Sequence, residues 1–148
     1  MEQRILAADS AQVEDLLGLR SSRGSSLALA DSVEEGLPVS ALDRLASTIS
    51  PGDAQFKYRL IPQATLQRRR KSAKKVLNCE ESNRLARLAK VFAFAQNLYG
   101  SASRAREFLT RPHMMLDNRV PLDVALATGP GADVVLNLLG RASHGSAV

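Results

Sequence analysis

Apolar residues recur along most of the chain at intervals of three and four positions, the spacing of amphipathic helices. In the middle of the chain this pattern predicts three short helices, over about residues 40–49, 53–59 and 63–72. Ser40 is the predicted N-cap of the first helix, and the Ser-Pro-Gly segment at 50–52 is the predicted break after it. Phe56 and Leu66 are expected to anchor the second and third helices in the core.

The second half of the chain opens with a longer predicted helix, from Asn78 to Tyr99. Asn78 and Glu81 have the spacing of a capping box, and Gly100 is a typical stop signal. Further short helices are predicted from Ala105 to just before Pro112, from Pro121 through Leu126 and from Pro130 through Leu139. The small and polar residues 140–148 are expected to form a tail without a core of its own.

The first 36 residues carry weaker signals. Residues 13–17 fit a short helix closed by Gly18, and residues 21–26 are typical of a flexible connector. Leu27 and Leu29 alternate with small residues, which predicts a short extended segment.

These patterns together predict an all-α protein. Aromatic residues make up only 4% of the chain and there is no tryptophan, so the core must be mainly aliphatic, which favours helices over strands. We expect an amino-terminal, partly flexible segment (1–36), a helix-turn-helix unit (37–77), and a long helix followed by a small helical domain and a tail (78–148).

The sequence shows no set of residues at the spacing that catalysis or metal binding requires. The single cysteine, Cys79, cannot form an internal disulfide, and His113 and His144 have no partners at metal-ligand spacing. Glu80 and Glu81 are explained by a helix start, where the dipole favours acids. We therefore predict no cofactor, no metal and no enzyme activity. Because no apolar run has the length of a signal peptide or a membrane span, we also expect a cytoplasmic protein that is neither exported nor membrane-spanning.

The charge is unevenly distributed. Residues 54–79 hold 8 of the 20 basic residues and none of the 15 acidic ones, so the remainder has a net charge of −3. A mild overall excess of +5 thus conceals one strongly positive segment, which is the electrostatic signature of a surface that binds a polyanion. Aromatic stacking residues are missing from the basic run at 60–75, which favours double-stranded DNA over RNA.

Three short helices with tight connections, the third of them basic, are typical of a helix-turn-helix. Side chains that can hydrogen-bond to base edges are Gln63, Thr65 and Gln67. Cations that can read guanine or contact phosphate are Arg68, Arg69, Arg70, Lys71, Lys74 and Lys75. Arg69 lies three positions from Leu66, so it is expected to point partly inward or to pair with an acid. Proteins of this kind usually act as dimers on paired half-sites, which predicts a homodimer.

Four stretches carry motifs in a distinctive order: TLQRRRKS (65–72), EESNRLARLAKVFAFAQNLYG (80–100), AREFLTRP (105–112) and VPLDVALATGPGADVVLNLL (120–139). Their order and spacing resemble those of the bacterial Xre/MbcA/ParS-type antitoxins, over roughly Gly36 to Leu139. Two positions depart from the family pattern. Phe108-Leu109 stand where Trp-Leu is usual, and Asp117-Asn118-Arg119 stand where the family often has a glycine-rich turn.

The resemblance implies a protein that neutralises a toxin encoded beside it, most often a RES-domain enzyme that degrades NAD. It also implies that the antitoxin, alone or with its toxin, represses their shared promoter. In such complexes the carboxy-terminal end of the antitoxin reaches the active-site cleft of the toxin. Carried over by position, the toxin-binding residues would be Phe108, Leu109, Pro121, Leu122, Gly129, Val134, Val135, Leu138, Leu139 and Arg141.

Some alternatives remain open from the sequence alone. The apolar stripe from Leu85 to Phe92 fits either a core or a dimer seam, and Met114 and Met115 are expected to fill the core, although they could form an adaptable patch facing the toxin. One alternative function is a dimeric helix-turn-helix transcription regulator without a toxin partner. A small enzyme acting on nucleic acid is a third class, disfavoured by the lack of an acid/base pair and of metal ligands.

Overall fold

The computed structural model describes residues 10–19 and 25–145 of the 148-residue chain. The described residues form helices joined by short turns and two isolated β-bridges, which confirms the predicted all-α class. In chain order the helices are α1 (Ser10–Leu16), α2 (Ser26–Glu35), α3 (Val39–Ile49), α4 (Lys57–Leu60), α5 (Gln63–Lys71), α6 (Cys79–Tyr99), α7 (Ala102–Thr110), α8 (Pro121–Ala127) and α9 (Gly129–Ser143). A 3₁₀ turn at Met114–Leu116 lies between α7 and α8.

Contacts between Cα atoms divide the chain into two compact units, with the division inside α6. The amino-terminal unit is Ser10–Ala89 and contains α1 to α5 with the first half of α6. The carboxy-terminal unit begins at Lys90 and contains the rest of α6 with α7, α8 and α9. Each unit has its own buried aliphatic residues, as the low aromatic content predicts.

The beginning of the amino-terminal unit is more helical than its sequence indicates. α1 ends near Gly18, whose φ of +70° suits a glycine stop, as predicted. The extended segment predicted at Leu27 and Leu29 is wrong, because both residues belong to α2. Ser25 caps this helix by accepting a hydrogen bond from Ala28 N–H (3.0 Å), and Leu29 and Val33, one turn apart, are buried. Of the connector predicted at 21–26, residues 21–24 lie outside the described part of the chain.

α3 has the predicted apolar face but not the predicted N-cap. The helix begins at Val39, so Ser40 lies within it and is exposed. Val39 N–H donates to the carbonyl oxygen of Lys75 (3.0 Å), and Pro38 bridges to Val76. A backbone partner therefore satisfies this first helical N–H group, and the side chain of Ser40 has no capping role.

The two helices that follow α3 complete the predicted helix-turn-helix unit. The second predicted helix is shorter than expected: Asp53 to Phe56 form turns, and α4 is a single turn from Lys57 to Leu60. Phe56 is nevertheless buried, as predicted. α5 begins directly after Pro62 and agrees with the predicted third helix to within one residue.

The capping box at the start of α6 is confirmed. Asn78 N–H donates to Glu81 Oε1 (2.9 Å), and Glu81 N–H donates to Asn78 Oδ1 (2.8 Å). The helix then runs to Tyr99 and ends at Gly100, whose φ is +88°. Both ends of the long helix were thus encoded locally.

The carboxy-terminal unit follows the proline pattern. Pro121 is the first residue of α8, and Pro130 is the second residue of α9. The predicted tail is wrong for residues 140–143, because α9 continues through Gly140 to Ser143. A glycine costs only about 1 kcal/mol inside a helix, and Arg141 in the last turn is favourable to the helix dipole.

The turn at 117–118 fills the place of the glycine-rich family turn. Asp117 and Asn118 have φ values of +55° and +61°, in the left-handed region that Asp and Asn tolerate better than most residues. His113 N–H donates to the carbonyl oxygen of Arg119 (3.0 Å) across this turn. Two polar residues therefore reverse the chain after the 3₁₀ turn without a glycine.

The connection between α8 and α9 depends on one glycine. Thr128 caps α9 by accepting a hydrogen bond from Gly131 N–H (2.9 Å). A Cβ atom added at Gly131 would collide with the carbonyl oxygen of Val124 and would lie 3.0 Å from Thr128 Oγ1. The backbones of α8 and α9 can approach this closely only because residue 131 has no side chain.

We predict that Gly131→Ala destabilises the protein by about 1–3 kcal/mol, because the new methyl group overpacks against backbone that cannot rotate away. Gly140→Ala is the matched control in the same helix, since a Cβ atom there meets nothing within 4 Å. It should be neutral or stabilising by up to about 1 kcal/mol. Urea denaturation followed by circular dichroism measures both. Equal effects of the two substitutions would contradict the close approach at Gly131.

Candidate functional site

α5 is seated on the amino-terminal unit by one buried residue. Leu66 is buried and points into the core. Since successive helical residues are separated by about 100°, Gln67, Arg68 and Lys71 lie on the opposite side, and all three are exposed. The outward face of α5 is therefore polar and positive, as a DNA-binding helix requires.

Arg69 holds one flank of α5. Its Nε donates to Glu81 Oε1 (3.0 Å) and its Nη2 donates to Glu81 Oε2 (3.2 Å). The two side chains are 25% and 16% exposed. This two-pronged contact is the strongest geometry for an arginine and a carboxylate, and it is the pairing with an acid that the position of Arg69 indicated.

Glu81 has two roles. Its Oε1 accepts hydrogen bonds from both Asn78 N–H and Arg69, so one carboxylate closes the capping box of α6 and fixes α5. Burial opposes the charged form of Glu81. The hydrogen bonds from Arg69 and Asn78 and the charges of Arg69 and Arg68 outweigh that burial, and they hold the pKa of Glu81 below its ordinary value of 4.5.

Arg70 holds the other flank of α5 more loosely. Its Nη2 donates to both carboxylate oxygens of Asp43 on α3, at 2.9 and 3.1 Å. These side chains are 44% and 42% exposed, and Lys57 Nζ lies 3.7 Å from Asp43 Oδ1. Asp43 thus joins α3, α4 and α5 through two cations, a contact that the sequence analysis missed because its members are far apart in the chain.

The remaining predicted DNA-binding residues are accessible to different degrees. Gln63 is exposed at the start of α5 and Thr65 is half-buried. Lys74 and Lys75 are exposed in the loop after α5. Lys75 has a φ of +52°, and its carbonyl oxygen is held by Val39 N–H, so the backbone of this loop is fixed while the lysine side chains stay exposed.

The predicted toxin-binding residues divide into a buried and an accessible group. The buried group cannot contact another protein in this conformation and instead packs α7, α8 and α9: Leu109, Pro121, Leu122, Val135, Leu138 and Leu139. Four residues remain at least partly accessible: Phe108, Gly129, Val134 and Arg141. Sequence reasoning selected apolar residues on both faces of these helices, and burial separates the two groups.

The 3₁₀ turn after α7 presents two methionines to solvent. Met114 is 79% exposed and Met115 is 51% exposed, so the expectation that they fill the core is wrong. Leu116, the third residue of the turn, is buried in their place. Together with Val134, these methionines are three of the four large apolar side chains found exposed in the described residues.

An aromatic groove lies beside the methionines. The ring of Phe108 is 5.3 Å from that of Tyr99 and 5.8 Å from that of His113. His113 Nδ1 accepts a hydrogen bond from Met115 N–H (3.1 Å), which ties the groove to the exposed turn. The cavity has a volume of about 600 Å³, and its charged lining residues are Arg104 and the ion pair of Arg111 with Glu107 (3.1 Å).

Comparison with known proteins identifies both units. Residues 28–90 match the antitoxin Xre-like helix-turn-helix domain, and residues 94–145 match the antitoxin Xre/MbcA/ParS C-terminal toxin-binding domain. An Antitoxin Xre of Yersinia enterocolitica is 34% identical over 131 residues, which cover 87% of this chain and 86% of that protein. An Antitoxin Xre of Photorhabdus laumondii is 32% identical over 114 residues, 76% of each chain.

This chain belongs to the Xre family of antitoxins. The antitoxin therefore carries a helix-turn-helix that implies DNA binding and a second domain that implies a toxin partner. Within residues 10–19 and 25–145, no three metal-binding side chains come together, and no helix is both long and apolar enough to cross a membrane.

The first turns of α6 attach the rest of the antitoxin's helix-turn-helix. Ser82 is fully buried, and its Oγ accepts a hydrogen bond from Leu37 N–H (2.9 Å) just before α3. Arg84 donates to the carbonyl oxygen of Leu60 at the end of α4 (3.0 Å). Ser82, Arg84 and Glu81 thus contact the segment just before α3, the end of α4 and α5 itself.

We predict that Glu81→Gln lowers the stability of the antitoxin at neutral pH by about 1–3 kcal/mol. The substitution keeps an acceptor for the capping box and removes the charge that Arg69 binds. Because the folded pKa of Glu81 lies below 4.5, its extra stabilisation is fully present above about pH 4.5 and is lost as the pH falls through the lowered pKa.

Urea denaturation at a series of pH values between 7 and 2.5 measures the effect. The difference in free energy of unfolding between Glu81→Gln and the unsubstituted protein should shrink toward zero at the acid end. A difference that stays constant with pH would show that the charge of Glu81 does not contribute.

Proposed function

We propose that this antitoxin neutralises a cognate toxin by direct binding and represses its own operon through α5. The toxin would be a RES-domain enzyme that degrades NAD, and the carboxy-terminal unit would cover its active site. The resemblance of the motifs at 65–139 to such antitoxins supports the assignment of the toxin. The observation that carries the proposal of direct binding is the set of exposed apolar side chains in the carboxy-terminal unit. Such a protein acts by binding and needs no catalytic group.

The toxin-facing surface in this proposal consists of exposed residues. Met114 and Met115 are flexible and polarizable side chains that adapt to irregular partner surfaces. Val134 on α9 adds a third exposed apolar side chain, and Phe108 lines the neighbouring groove. The buried residues of α8 and α9 would act by holding this surface in shape, and Arg141 and Gly129 would extend it along α9.

The operator-facing surface in this proposal is the outward face of α5. Gln63, Thr65, Gln67 and Arg68 would read bases, since their side chains can donate to or accept from base edges. Lys71, Lys74 and Lys75 would contact phosphates on either side. One recognition helix covers few base pairs, so we further propose that two copies bind paired half-sites as a homodimer.

We predict that the double variant Met114→Asp, Val134→Asp loses neutralisation. Placing two carboxylates in the desolvated centre of an interface should weaken toxin binding by about 30-fold or more, the effect of losing a hot-spot residue. Growth of cells that co-express the antitoxin with the toxin encoded beside it measures neutralisation, and their NAD content tests the proposed toxin chemistry.

Leu27→Asp is the matched control. Leu27 is 72% exposed on α2 in the amino-terminal unit, so the same chemical change there should leave neutralisation intact. Full protection by the double variant would contradict the proposed toxin surface. Normal NAD levels in cells inhibited by the toxin alone would contradict the RES assignment, whatever the antitoxin variants do.

A further inference from the structure

Asp43 occupies a central position beside α5. It receives two hydrogen bonds from Arg70 Nη2 (2.9 and 3.1 Å) and lies 3.7 Å from Lys57 Nζ. All three side chains line an open cleft of about 510 Å³ whose other residues are mostly small. Two cations of the helix-turn-helix therefore share one carboxylate of the same chain.

The contact between Arg70 and Asp43 is looser than the one between Arg69 and Glu81. Arg70 uses one nitrogen for both carboxylate oxygens, whereas Arg69 uses two nitrogens for two oxygens of Glu81. The pair with Asp43 is also far more exposed. Exposed ion pairs contribute little to stability, and a carboxylate offers an arginine the same kind of charge-assisted hydrogen bond as a DNA phosphate does.

Arg70 lies four positions after Leu66, on the flank of α5 beside Asp43, and its side chain is 44% exposed. It lies seven positions after Gln63, so the two residues share a face of α5. Gln63 is exposed at the start of α5, where it is proposed to contact bases. A cation on the same side of the helix could reach a nearby phosphate if Asp43 did not hold it.

We propose that Asp43 takes the place of a DNA phosphate beside Arg70 and Lys57, both in the free antitoxin and when DNA is bound. The inference rests on DNA binding by the helix-turn-helix and goes beyond it. Asp43 limits the number of phosphates that the protein contacts and so weakens its binding to every sequence. Base contacts made from Gln67 and Arg68 are unaffected, so Asp43 raises the share of the binding energy that depends on sequence.

The consequence is measurable in the salt dependence of binding. Each phosphate contact contributes about −0.9 to the slope of log K against log salt concentration. The exposed cations Lys71, Lys74 and Lys75 have no ion pair among the described residues and contact phosphate directly in this account. Removing the charge of Asp43 adds up to two further contacts, from Arg70 and Lys57.

The test compares Asp43→Asn with the unsubstituted protein on a random-sequence DNA duplex over a salt series. Asp43→Asn should bind roughly 2- to 30-fold tighter at low salt, the effect of up to two added phosphate contacts that are each about as strong as an exposed ion pair, and its slope should be steeper by about 0.9 per added contact. Asp53→Asn is the matched control, because Asp53 lines the same cleft and its Oδ1 accepts only the local bond from Gln55 N–H (3.0 Å) among the described contacts.

Asp53→Asn should change the affinity and the slope little. Equal gains from both variants would show a general charge effect and overturn the proposal. Affinity and slope unchanged in Asp43→Asn, with circular dichroism showing it folded, would also overturn it.

Arg70→Gln provides a second, independent arm. In the unsubstituted background it should have little effect on DNA binding, because Arg70 is already paired with Asp43, and in the Asp43→Asn background it should remove much of the gain. Loss of a full phosphate contact from Arg70→Gln alone would overturn the proposal even if Asp43→Asn failed to fold. No salt-dependent binding by either the unsubstituted protein or Asp43→Asn would contradict the DNA-binding role itself.

Discussion

The carboxylate of Glu81 is the constraint on which the DNA-binding unit depends. A helix that presents few residues to a groove must be fixed in rotation about its own axis, and α5 has one buried leucine with an ion pair on each flank. The two hydrogen bonds between Arg69 and Glu81 form the less exposed of these pairs, and the capping box places Glu81 itself. Arg69, which the charge pattern groups with the DNA-binding cations, is paired with Glu81, and we propose that its main role is to orient Gln67 and Arg68.

The same turn of α6 explains why the amino-terminal unit is built in this order. Ser82 and Arg84 bind the backbone just before α3 and at the end of α4, so α6 organises the segments that come before it. The carboxy-terminal unit depends on a different device, the missing side chain of Gly131. Each unit thus has its own source of rigidity, as two separate binding functions require.

Local signals predicted most of the fold. Caps, prolines and glycine stops placed α5, α6, α7 and α8, because each of these helices begins or ends with chemistry encoded next to it. The sequence failed where distant or competing contacts decide. Residues 27–29 are helical despite their alternating pattern, because Ser25 caps α2 and Leu29 and Val33 are buried together on one face of it. Asp43 pairs with Arg70, which lies 27 residues away in the chain. Apolar spacing alone could not distinguish core residues from surface residues in α8 and α9. Their burial in the structure makes the distinction.

The measurement that tests the orienting role of Arg69 most directly is a double-mutant cycle of Arg69→Gln and Glu81→Gln, read out as affinity for a duplex of the antitoxin's own promoter. If Arg69 acts through Glu81, both single variants should weaken binding by a similar factor, and the double variant should be no weaker than either. If Arg69 contacts DNA itself, Arg69→Gln will weaken binding while Glu81→Gln leaves it unchanged or strengthens it, which would contradict the account.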